Sequence, residues 1–185
     1  MTFNFPAPDK DDPTWTAARA IIVPSSEGDT RFINGDVFTI KLRSALATGS
    51  LGFLEADVPP GVSAIPHTHG TEDEAFYLVS GEVEFVNGNT THRCHAGDFV
   101  FIPRGTRHGY TNIGTHDAKM LIFFAPGGAE DLWGEVGEEA VPEAVDAPWS
   151  MEKFEQVSEA MQRYNMTMYP PEHAPVPDEP AKIED

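Results

Sequence analysis

The chain has 185 residues, 30 acidic against 12 basic, giving a formal net charge of -18. That length suits one domain with a real apolar core. A surface so acidic repels nucleic acid phosphates and anionic membrane faces, so neither is expected as a partner. The single cysteine, Cys94, rules out an internal disulfide framework and reads as a small buried hydrophobe, not a nucleophile. The sequence opens on no basic-then-apolar leader and holds no run of eighteen apolar residues, so the expectation is a cytoplasmic protein.

Residues 1–17, with three prolines and a charged run at Asp9 to Asp12, are expected to form an arm. From 18 to 128 the texture becomes short apolar runs in period-two alternation, split by Gly, Pro, Asn and Asp. Candidate strands are 18–24, 36–43, 51–58, 63–69, 74–81, 82–86, 91–96, 98–103, 108–114 and 118–125. Asn87-Gly88 supplies the positive φ that a tight hairpin demands. Strands this short and regular, with no helical pattern between them, predict an all-β antiparallel sandwich or barrel.

Residues 129–168 read as a helical extension. Residues 129–137 make about two turns with Leu132, Trp133 and Val136 on one side. A clearer helix starts at Ser150, a good N-cap, with Glu152 at its positive end. Phe154, Val157, Met161 and Tyr164 then recur at helical spacing, which favours a helix docked on the barrel wall over a substrate lid. Residues 169–185, acidic and rich in proline, read as a loosely ordered tail.

The chemistry concentrates in two stretches. His67 and His69 stand at i and i+2 of one strand and face the same way. Glu74 opens the next strand, and if that strand lies beside the first its carboxylate meets both rings. Phe76 and Leu78 share the face of Glu74 and would line the same interior. His108 begins the strand after the Pro103–Gly105 turn, with Tyr110 and Asn112 on its parity. Three neutral imidazoles and a carboxylate suit one divalent transition metal: iron, nickel, manganese or cobalt, with zinc possible. Such metals take about six ligands, leaving about two positions for substrate or water. A closed structural zinc site would favour thiolates, and Cys94 lies outside the motif. The alternative, four polar residues satisfied by each other alone, buries ionisable groups at a cost of several kcal/mol. His92 and His95 fall on opposite faces, His116 in a turn and His173 in the tail, all read as solvated or structural. Arg104 and Arg107 stand near the rim, where they could meet an anionic substrate, although solvation is the commoner fate.

Gly61, His67, His69, Glu74 and Gly81, followed by Gly97, Pro103, Gly105, His108 and Asn112, resemble at every position the two motifs of the cupins. The resemblance covers about 40–128 and implies a double-stranded β-helix barrel, related to the jelly roll, with C-terminal helices beyond it. It implies His67, His69, Glu74 and His108 as ligands of a mononuclear metal. Pairing into a homodimer through barrel edges is implied as well, with 18–24 as a candidate interface strand. Among cupins the chain is similar to compact bacterial quercetin dioxygenases, which share the three-histidine, one-glutamate set and a Pro-Gly-Gly before an acidic-aromatic helix, here "APGGAEDLWGEVG". That likeness implies a dioxygenase acting on a flavonol-like or other enol or enediol small molecule and dioxygen, with Glu74 doubling as proton acceptor. Two other classes fit the same ligands: a metal-dependent isomerase or lyase, and a non-catalytic small-molecule-binding cupin.

Overall fold

The computed structural model describes residues 9–13, 17, 19–140 and 148–169. Among them, twelve strands make two antiparallel sheets. One has seven strands: β1 (Asp29–Ile33), β2 (Asp36–Leu42), β3 (Gly52–Val58), β5 (Asp73–Ser80), β8 (Phe99–Ile102), β10 (Ala118–Ala125) and the short β11 (Glu138–Glu139), in the order β11-β1-β2-β3-β10-β5-β8. The other has five: β4 (Ser63–His69), β6 (Glu82–Asn87), β7 (Thr90–His95), β9 (His108–Asn112) and β12 (Met166–Met168), in the order β12-β4-β9-β6-β7. The chain crosses repeatedly between the sheets, so residues adjacent in sequence face each other across the interior.

Alternation decides what fills that interior. Leu54, Ala56 and Val58 of β3 and Met120, Ile122 and Phe124 of β10 point inward and are buried. Phe76 and Phe85 meet from opposite sheets, edge to face, with ring centroids 5.0 Å apart. Burying each such ring stabilises the fold by about 2–3 kcal/mol. The motif glycine Gly81 sits at φ +92°, where a Cβ would fall 2.6 Å from the Ala118 backbone. Only glycine lets the β5–β6 corner approach β10 that closely.

Two helices complete the chamber. α1 (Ala129–Val136) follows the barrel; its fully buried Glu130 accepts backbone N–H bonds from Ser44 (2.5 Å) and Gly128 (2.8 Å). α2 (Met151–Arg163) starts at Ser150, whose hydroxyl accepts from the Lys153 N–H at 3.2 Å, and buries Val157, Ala160 and Met161. The chain then turns into β12, which pairs with β4 in the register Met166 to His69 and Met168 to His67. The extension is thereby stitched to the strand that carries two of the histidines. Tyr169 continues the contact, donating its N–H to the Pro66 carbonyl at 2.8 Å.

Nine of the expected strands are present. The segment 18–24 differs: its described residues, 19–24, form no strand, and Ile21 and Ile22 are 51% and 85% exposed. The place beside β2 is taken by β1, which is not among the expected strands. Its signal was Asn34-Gly35, a two-residue turn with φ of 52° and 101° that closes the β1–β2 hairpin. Glu74 also arrives differently from the expected side-by-side placement, since β5 lies in the sheet opposite β4. Most of the expected arm and all of the tail beyond Tyr169 lie outside the described residues.

Candidate metal centre

His67 and His69 project from β4, and His108 from the first residue of its neighbour β9, where the register sets His67 against His108. Glu74 reaches them from across the sandwich. All four side chains are buried, and one nitrogen or oxygen from each falls within 4.8 Å of the others. Nε2 of His108 lies 2.6 Å from Glu74 Oε2, and Nε2 of His69 lies 3.2 Å from the same oxygen.

Two imidazoles are oriented by their own backbone. Nδ1 of His67 is 2.8 Å from the Ile65 carbonyl, and Nδ1 of His108 is 2.9 Å from the Thr106 carbonyl. A carbonyl only accepts, so each Nδ1 carries a proton; Nε2 of His67 is left to present a lone pair, whereas Nε2 of His108 donates to the Glu74 carboxylate in the metal-free protein. His67 Nε2 and both ring nitrogens of His69 are buried without a hydrogen-bond partner. Orphaned nitrogens of this kind cost about 1–3 kcal/mol each unless something fills the gap. A divalent cation held by His67, His69, Glu74 and His108 would do so, and the donor set suits a first-row metal.

Burial and neighbouring charges set the protonation of His67, His69 and Glu74 differently. Burial, with His108 and His69 nearby, pushes His67 down to about 3. Burial also opposes charge on His69, but Glu74 and Glu72 outweigh it and lift that imidazole to about 9. Burial works against ionised Glu74 as well, yet His69 and His108 hold it well below the usual carboxylate range. Tyr110 is driven upward by burial and by Asp36, whose Oδ2 accepts the phenol proton at 2.8 Å, so it stays a neutral phenol.

A cavity of about 50 Å³ borders His67 and Glu74. Phe76 and Tyr110 line it, whereas Leu78 is buried in the core and does not. Its outer wall comes from the extension: Trp133 of α1, then Trp149, Phe154, Met161 and Met168. The helix expected on the barrel wall is docked, and its Phe154, Val157 and Met161 also line the cavity. Among the described residues that line it there is no lysine or arginine. Arg104 is held by Asp73 at 2.9 Å, and Arg107 donates to the Gly88 carbonyl at 2.7 Å. His92, His95 and His116 are exposed, and His173 lies outside the described residues. Asn112 is structural: its amide donates to the carbonyls of Val58 and His116.

Residues 54–124, which hold the whole cluster, match the family described as "Cupin domain". The oxalate-binding protein of Thermotoga maritima is 30% identical over 102 residues, covering 54% of this chain and 84% of the relative. The chain belongs to the cupin family. A solved structure titled a predicted oxalate decarboxylase, also from Thermotoga maritima, superposes on this cupin with a TM-score of 0.54 at 26% identity, over 57% of this chain and 99% of that one. Oxalate oxidase GF-3.8 of Triticum aestivum is 30% identical over 108 residues, 52% of this chain and 48% of the enzyme. Against some curated relatives the cupin thus spans only about half to six tenths of their length, 48% and 58% in two cases. The matched span ends before α1, so Trp133, Trp149, Phe154, Met161 and Met168 lie outside it.

Proposed function

We propose that this cupin is a mononuclear metal-dependent dioxygenase acting on an uncharged, flavonol-like enol or enediol. The observation that supports the reading is the pairing of a buried three-histidine, one-carboxylate cluster with an aromatic chamber whose described lining residues include no lysine or arginine. A dianion such as oxalate would meet charge only at the metal, and the described lining offers no arginine or lysine for the rest of it. A flat ring system instead gains contact area from Trp133, Trp149 and Phe154.

His67, His69, Glu74 and His108 would hold one iron, nickel, manganese or cobalt ion, zinc being compatible with the donors but not with redox chemistry. When bound, that ion supplies polarisation of a chelating oxygen pair toward dioxygen. The protein does the rest. Glu74, kept ionised by its neighbours, accepts the substrate hydroxyl proton at Oε2. Phe76, Phe154 and Met161 exclude bulk water and orient the ring. A cavity of about 50 Å³ takes only a few waters. A substrate of two or three rings therefore enters as α2 and β12 give way.

Two copies are proposed to pair through the outer face of β5 and the edge strand β8. Phe99 and Phe101 are 62% and 55% exposed there, beside half-exposed Tyr77 and Val79. An apolar edge strand left in water invites association, and a second copy covers it. Phe99→Ser with Phe101→Ser should turn a dimer in light scattering into a monomer, and a wild-type monomer would refute the pairing.

The functional test is an oxygen-electrode assay with flavonols and other enediols on metal-loaded protein. Uptake lost in Glu74→Ala supports the dioxygenase. Turnover without oxygen consumption replaces it with an isomerase or lyase using the same residues.

A further inference from the structure

The turn between the motif strands contains a carboxylate that the ligand set does not use. Glu72 follows His69 by three residues in a surface turn, where a glutamate ordinarily reaches water, yet it is only 5% exposed. Burying a carboxylate is costly unless partners receive it. Thr71 Oγ1 donates to Glu72 Oε2 at 2.8 Å, and the same oxygen stands 3.7 Å from Nδ1 of His69. The other oxygen packs toward Gly128, at the start of α1, where a Cβ would come within 3.3 Å of it. The carboxylate is held from three sides and turned toward one imidazole.

That imidazole is the exceptional one. The Nδ1 atoms of His67 and His108 rest on backbone carbonyls, but His69 Nδ1 is buried with no hydrogen-bond partner. A movement of roughly 1 Å would bring it into hydrogen-bond range of Glu72. A carboxylate there fixes the Nδ1–H tautomer, aims Nε2 into the cluster and makes the ring a stronger donor than a carbonyl-bound one.

Resting on the reading of the cluster as a metal centre, we propose that Glu72 is a positioning residue that orients His69 and strengthens it as a metal ligand. Glu72 touches neither metal nor substrate. Among the three histidines, His69 is the one whose orientation depends on a side chain, so metal affinity is tunable at a position outside the ligand set.

The test is cobalt(II) binding to the full chain, by competition with a chromophoric chelator and by the visible spectrum of the cobalt protein. Wild type that binds no cobalt removes the metal-centre reading itself. With wild type binding, Glu72→Ala should weaken affinity about ten- to a hundredfold, and Glu72→Gln, which keeps an acceptor oxygen, should recover most of it. Both variants should shift the cobalt bands. Glu72→Ala within twofold of wild type with an unchanged spectrum overturns the proposal. Should Glu72→Ala fail to fold by circular dichroism, Thr71→Val and Glu72→Gln decide the matter: shifted bands support it, and bands identical to wild type overturn it.

Discussion

The barrel and the C-terminal segment both line the cavity, but among the lining residues only the barrel contributes metal-ligating groups. From the barrel come the four polar groups of the cluster, carried by β4, β5 and β9 in fixed register. From the segment spanning 148–169 come Trp149, Phe154, Met161 and Met168, all apolar. On the proposed function, the first region would set the reaction and the second the molecule that reaches it.

The largest effect expected from breaking this division falls on the barrel side. His67→Ala or Glu74→Ala should remove bound metal and lower turnover by about a thousandfold or more, with the fold retained in circular dichroism. Metal content by elemental analysis checks the first part, and retention of a full equivalent would refute the ligand assignment.

The second effect concerns the proton that replaces the metal. In chelated protein His69 is raised to about 9 from an ordinary 6.5. A histidine raised in the folded state contributes stability that is complete below about pH 6.5 and lost as pH climbs through about 9. The total is on the order of 3 kcal/mol. Melting temperature of metal-free protein should therefore fall across that window, and the metal-loaded protein should lack this component because the ion displaces the proton. Identical profiles for the two forms would contradict the account.

A smaller and separable effect belongs to the extension. Phe154→Ala should raise KM for an aromatic substrate by about tenfold through lost contact area while leaving metal content unchanged. A fall in metal content instead would show that the two regions are not independent. Least affected should be Arg104→Ala. Its partner Asp73 is held down to about 2 by the Arg104 hydrogen bonds, yet solvent screens an exposed pair and Arg104 does not line the cavity, so KM should not move.

The same division governs what could be read from sequence. His67, His69, Glu74 and His108 were legible because strand parity and motif spacing are local, and the register carries them into one cluster. Topology was less so: parity placed Glu74 on the correct face but could not say that β5 crosses to the opposite sheet. β1 shows no alternation although Asn34-Gly35 marks its hairpin, and the apolar run over the described residues 19–24 has no partner strand, with Ile21 and Ile22 exposed. The stripe of Phe154, Val157 and Met161 correctly indicated a docked helix. Its position over the cluster depends on β12 pairing with β4, three residues with no pattern of their own. Glu72 carried no sequence signal beyond its i+3 spacing from His69.

The most direct test of the central claim is elemental analysis of the purified protein joined to oxygen uptake with a flavonol, run beside Glu74→Ala. The account predicts close to one equivalent of a redox-capable metal per chain and uptake that disappears in the variant. Protein that takes up no metal under any loading condition, or uptake that survives in Glu74→Ala, would contradict it.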